Sequence, residues 1–237
     1  MGTSTSFRSP HVPRWQAFAT ALRSDVSLAR LRSELFNAGV EWESALADDS
    51  VASFAIEMML SFETFPVRLR ETNRPETAIL DVVADAHRAS SETGAASPAL
   101  PLAERALIGA LMRAVSGDLG LAQMSAKEAA SRFERQRGEP AELLGSFVGE
   151  LLSQYARHVT AREMGAMSAS RTSKGEEVRG LSISESKRVA RSLAAEAESV
   201  GRRIGDIPPS VDAVRGRWAA LIGEAFALGR ELPESSA

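Results

Sequence analysis

Apolar residues recur along this chain at intervals of three and four, the spacing that lines one face of an α-helix. Trp15, Phe18, Ala19 and Leu22 share such a face, and Leu28, Leu31 and Leu35 continue it to a break near Gly39. A second stripe of Val51, Phe54, Ala55, Met58, Met59 and Phe62 begins behind Asp49 and Ser50, whose side chains can accept the unpaired N–H groups of a first turn. Pro75, within Asn73–Glu76, suits the start of a third run with Ile79, Val82, Val83 and Ala86, because proline is tolerated in a first turn. Residues 90–100 are rich in Ser, Gly, Ala and Pro and predict a flexible connection with nothing to bury. Pro101 then opens a strong helix through Leu102, Ala106, Leu107, Ala110, Leu111, Ala114 and Val115. Ser125 and Glu128 form a capping box for another helix, ending near Gly138.

The third region predicts longer elements. Residues 140–167 read as one amphipathic helix with Leu144, Phe147, Val148, Leu151, Leu152, Tyr155 and Val159 along one side. A Ser/Lys/Gly-rich linker over 168–181 leads to a helix capped by Ser182 and Glu185, carrying Val189, Leu193, Val200 and Ile204. After Pro208 and Pro209 a last helix carries Val211, Val214, Trp218, Leu221, Ala225 and Leu228. No alternating strand pattern and no internal repeat is present, so the fold class is all-α. The expected division is a flexible arm over 1–12, a helical domain over 13–137 and a helical C-terminal extension over 138–237.

Composition narrows the function classes. The chain has 237 residues, 44% of them hydrophobic and 25% charged, which is ordinary for a globular protein with a sizeable core. No apolar run approaches the roughly 20 residues that span a bilayer, and no signal-peptide h-region opens the sequence. The absence of cysteine excludes disulfides and thiolate chemistry. Of 28 basic residues only Lys127, Lys174 and Lys187 are lysines. The rest are arginines, which bind carboxylates and phosphates bidentately. A net charge of −3 argues against nonspecific binding to duplex nucleic acid, but not against a few phosphate contacts per copy multiplied by oligomerisation.

Catalytic and metal chemistry finds little support. His11, His87 and His158 are far apart in sequence, and none has ligand spacing with another. Asp81, Asp85 and His87 read as a solvated helix face. Glu150, Gln154 and His158, four residues apart in turn, read as the wet side of their helix. Glycine-rich phosphate loops and Gly-x-Ser-x-Gly elbows are absent. The expectation is a protein with no catalytic residues, no metal and no cofactor. Residues 125–145 make a poor helix-turn-helix, because the turn over 134–140 is too long. Trp15 and Trp218 follow Arg14 and Arg217, but their apolar stripes predict core positions rather than base stacking. Met1-Gly2 with Ser6 matches a myristoylation pattern that has no second anchor nearby.

One block carries a resemblance. Its words are Phe62-Glu63, Val67-Arg68-Leu69, Ala78-Ile79-Leu80-Asp81, His87-Arg88, Leu102-Ala103-Glu104-Arg105 and Arg132-Phe133-Glu134. In this order, over about residues 14–137, the chain resembles coat proteins of rod-shaped, tobamovirus-like plant viruses. The resemblance implies a four-helix bundle that assembles helically with copies of itself around single-stranded RNA, in a virion formed in the host cytoplasm. It also implies a break after Phe62-Glu63, phosphate contacts at Arg88 and Arg105, and inter-subunit carboxylates at Glu63 and Asp81. Arg68, Phe133 and Glu134 would hold the fold. The last hundred residues depart from the family pattern and would project from the particle surface. The alternative expectation is a helical adaptor of bacterial cytoplasm that binds other proteins.

Overall fold

The structure is a computed structural model that describes residues 13–24, 26–72, 74–94, 96–116, 124–136, 138–174, 183–205 and 207–232. The expected arm over 1–12, with Gly2 and His11, and the expected cap Ser182 lie outside the described residues. Among the described residues the chain is all-helical, with no strand. The helices are α1 (Pro13–Arg23), α2 (Leu28–Ala38), α3 (Val40–Leu46), α4 (Asp49–Glu71) and α5 (Pro75–Glu92). They continue with α6 (Leu100–Ser116), α7 (Ala126–Gln136), α8 (Pro140–Lys174), α9 (Ile183–Arg202) and α10 (Val211–Arg230).

Local chemistry sets five of the helix starts. Ser27 accepts the Arg30 N–H at the start of α2, Asp48 accepts that of Ser50 at the start of α4, and Ser210 accepts that of Ala213 at the start of α10. Pro75 stands in the first turn of α5. The Ser125 hydroxyl accepts the Glu128 N–H at 3.3 Å. α4 runs on through the buried Pro66, so the expected break after Phe62-Glu63 is a continuous helix. α8 extends to Lys174, which places residues 168–174 of the expected linker in helix; residues 175–181 lie outside the described residues.

α4 lies at the centre, in contact with α5, α6, α7, α8 and α10, while α8 packs on α4, α6 and α9. One continuous apolar core joins them and includes residues from every helix. Helices on both sides of residue 137 contribute to it. Trp218 of α10 is fully buried and donates from Nε1 to the Leu46 carbonyl at 2.8 Å. Tyr155 of α8 is buried among Phe36, Trp42 and Phe226, with ring centroids 5.9, 6.0 and 5.5 Å away. Its hydroxyl donates to the Leu35 carbonyl at 3.0 Å, and burial pushes that phenol well above its ordinary pKa. Two glycines make room for these rings: a Cβ on Gly39 would overlap the Tyr155 oxygen, and one on Gly229 would overlap the Phe36 ring.

The buried Arg32 of α2 ties the last helix down. Its guanidinium donates to the carbonyls of Gly229 at 3.3 Å and Glu231 at 2.5 Å, and to Glu196 of α9 at 3.1 Å. Carbonyls at the end of a helix have no partner within the helix, and a cation there also opposes its dipole. The described helices α8, α9 and α10 thus pack into the same core as α1–α7.

The connection between α5 and α6 is anchored. Ala99 is fully buried and Ser97 nearly so. The Ser97 hydroxyl donates to the Ala45 carbonyl at 2.6 Å, and its N–H reaches the Ser50 hydroxyl at 3.4 Å. The expectation that 90–100 has nothing to bury fails because two small side chains fit against α3 and α4.

Candidate interaction surface

The seven residues singled out in the sequence fall in different surroundings. Phe133 is fully buried, edge-on to Phe65 at 5.1 Å, and Glu134 meets Arg70 at 2.5 Å, so both tie α7 to α4. Arg68 on α4 reaches Asp85 on α5 at 2.6 Å. Arg88 reaches the other oxygen of Asp85 at 2.8 Å, although its side chain is 71% exposed. Glu63 and Asp81 are both exposed, on α4 and α5. Arg105 is exposed on α6 and acts electrostatically on His158 of α8. Arg88 therefore faces α4 and Arg105 faces α8.

The carboxylates that influence each other are Glu57 and Asp85. Burial and the negative charge of Asp85 hold Glu57 above the ordinary carboxylate range, against the weaker pull of Arg68 and Arg88. Burial would also raise Asp85, but hydrogen bonds and charge from Arg68 and Arg88 outweigh it and hold that carboxyl low. Sequence spacing makes the Asp85–Arg88 pair legible at i, i+3. The reach of Arg68 across two helices has no local signal.

Around these charges runs a groove on the outer side of α4. A hollow of about 390 Å³ lies over Leu60, Thr64 and Ala89, flanked by Arg68, Asp85 and Arg88. A second, of about 380 Å³, lies over Ala52, Ile56, Leu60 and Val211, flanked by Asp49 and Arg215. The two share Glu57, Leu60, Ala89 and Glu92 and so form one continuous depression along α4, walled by α5 and, toward Asp49, by α10. Leu60 is 45% exposed in it, and Val67, two turns along the same helix, is 50% exposed. Large apolar side chains on the helix that organises the core are costly to leave in water.

The α6–α8 seam holds the other polar groups. Arg113 joins Glu150 of α8 at 2.7 Å and Glu198 of α9 at 2.6 Å, Arg202 joins Glu198 at 2.5 Å, and Gln154 donates to Glu150 at 2.7 Å. Glu150 is buried, so its place on a wet helix face is corrected: the wall of α6 and the Arg113 guanidinium cover it. An adjoining cavity of about 580 Å³ is lined by Arg113, Ser146, Arg202, Ile204 and Ile207, and both of its guanidiniums are engaged by these carboxylates. At the other end of the seam His158 stacks edge-on against Trp42 at 5.2 Å, near Arg105 and Arg162. His87 meets Glu104 at 3.2 Å. Among the described residues no three His, Asp or Glu side chains come together as metal ligands. None of the helices is long and apolar enough to cross a membrane among those residues.

Burial first, then the charges of Arg162 and Arg105, hold His158 below the usual imidazole pKa of about 6.5. The unfolded chain then takes up the proton more readily than the folded one, so stability falls as pH drops through that value. Replacing His158 with Gln is expected to flatten the fall in melting temperature between about pH 7.5 and 5.5. Parallel pH profiles for the two proteins would contradict this. No protein-family model, curated protein or solved structure matches the chain.

Proposed function

We propose that this chain is a helical protein-interaction module that meets its partner along the outward face of α4. The observation that carries this reading is the continuous groove in which Leu60 stands half-exposed on the central helix of the core. The floor is apolar, the flanks are charged, and the helix beneath is fixed by five neighbours, so the surface is preorganised for a docked segment. A photo-crosslinking residue at position 60 is expected to capture a partner in the native cell. The same group at Leu80, more exposed but lining neither hollow, serves as the control. Capture at both positions alike, or at neither, would remove the reading.

RNA packaging is the second reading, favoured by the gathering of Arg105, His158 and Arg162 beside Trp42. In that reading α4–α7, which contact one another in turn, would be the four-helix bundle of coat type. Glu63 and Asp81 would face neighbouring copies. It needs Arg88 and Arg105 along one RNA strand, whereas Arg88 is held by Asp85 and the two turn toward different helices. The interaction reading needs no such rearrangement. Single-stranded RNA that binds the wild-type chain but not the Arg105→Glu variant would reverse the preference.

A further inference from the structure

Resting on the interaction reading, we propose that the α4 groove takes a basic amphipathic helix, seating its aliphatic stripe on Leu60 and placing its Lys or Arg residues against Asp49, Glu57 and Glu92. The charge distribution within the groove selects this partner. Arg68 and Arg88 are both engaged by Asp85. Asp49, Glu57 and Glu92 hold no ion pair among the described residues; Arg215 lines the same hollow, and Arg68 and Arg88 act on Glu57 only through space. With four carboxylates (Asp49, Glu57, Asp85 and Glu92) against three guanidiniums (Arg68, Arg88 and Arg215), the groove lining is net negative, which favours a cationic partner and penalises an anionic one.

Shape points the same way. The groove follows α4 from Asp49 to Arg68, a length of about 28 Å at 1.5 Å per residue, which matches a helix of roughly 18 residues. Ala52 and Ala89 keep the floor low on either side of Leu60, leaving room for side chains at the i, i+4 and i+7 positions of a docked helix.

The test uses two synthetic 18-residue helical peptides, each with a leucine stripe, one flanked by lysines and the other by glutamates. Fluorescence anisotropy with the full chain at about 0.15 M salt is expected to show the lysine peptide bound at least tenfold more tightly. Leu60→Glu and the double variant Glu57→Lys/Glu92→Lys should each weaken that binding at least tenfold while leaving the melting temperature in place. The double variant should also begin to accept the glutamate peptide. Equal binding of both peptides, or binding of the lysine peptide unchanged by these variants, would overturn the proposal. Crosslinking at position 60 to a second copy of this chain, or to a segment without basic character, would overturn it too, yet leave the interaction reading intact.

Discussion

Replacing Gly201 with Ala is expected to destabilise the protein by about 3 kcal/mol, which lowers the melting temperature by roughly 6–12 °C for a chain of this size. At this point α8 and α9 touch backbone to backbone. A Cβ on Gly201 would lie 2.6 Å from both the Cα and the N of Gly149, and 2.9 Å from the Val148 carbonyl carbon. No side chain at the contact can swing aside, so the two helices must separate along their length. Their joint burial of Val148, Leu152, Leu193 and Ala197 would suffer with them. Gly216 on the exposed side of α10 is the opposite case, with nothing within 4 Å of a Cβ added there. Gly216→Ala is expected to stabilise by about 0.5–1 kcal/mol through helix propensity alone. Thermal unfolding of the two variants side by side checks both signs; a neutral Gly201→Ala would mean that the helices lie farther apart than the structure places them.

The second large effect is expected at Arg113. Glu150 is only 7% exposed at its side chain and takes its charge compensation from Arg113. Arg113→Met strands that carboxylate, at a cost of about 3 kcal/mol, the low end for a broken buried pair because the outer side of Arg113 meets water. Adding Glu150→Leu should recover most of the loss, since an apolar pair of similar volume leaves no uncompensated charge. Urea unfolding of the two single variants and the double variant forms a cycle that isolates the coupling. Additive single effects would show that the pair carries no mutual stabilisation.

How much of this was legible in the sequence differs from one feature to another. The helices and their inner faces follow from the three-and-four spacing, because a helical stripe such as Phe147, Leu151 and Tyr155 has one way to face a core. The starts at Pro75 and Ser125 are local chemistry and so are visible, whereas α4 is capped by Asp48, one residue before the expected Asp49 and Ser50. That α8, α9 and α10 share the core of the preceding helices was not legible. It depends on Trp218 reaching the Leu46 carbonyl and on Arg32 closing the end of α10, contacts between residues far apart in sequence. Gly149 and Gly201 read as weak points in a helix until the partner backbone is in view. Among the site residues, Phe133 is apolar within an amphipathic run and its burial is visible. Glu57 is invisible by the same measure, because nothing near it in sequence signals that Asp85 and Arg68 approach from other turns and another helix.

The groove on α4 is the claim on which the functional account turns, and the association state of the chain in extracts of its native cell tests it most directly. Gel filtration under native conditions should find the wild-type chain in a complex larger than the free protein. The Leu60→Glu variant, folded and equally abundant, should run as the free chain. Co-elution of the two proteins at the same size would contradict the account.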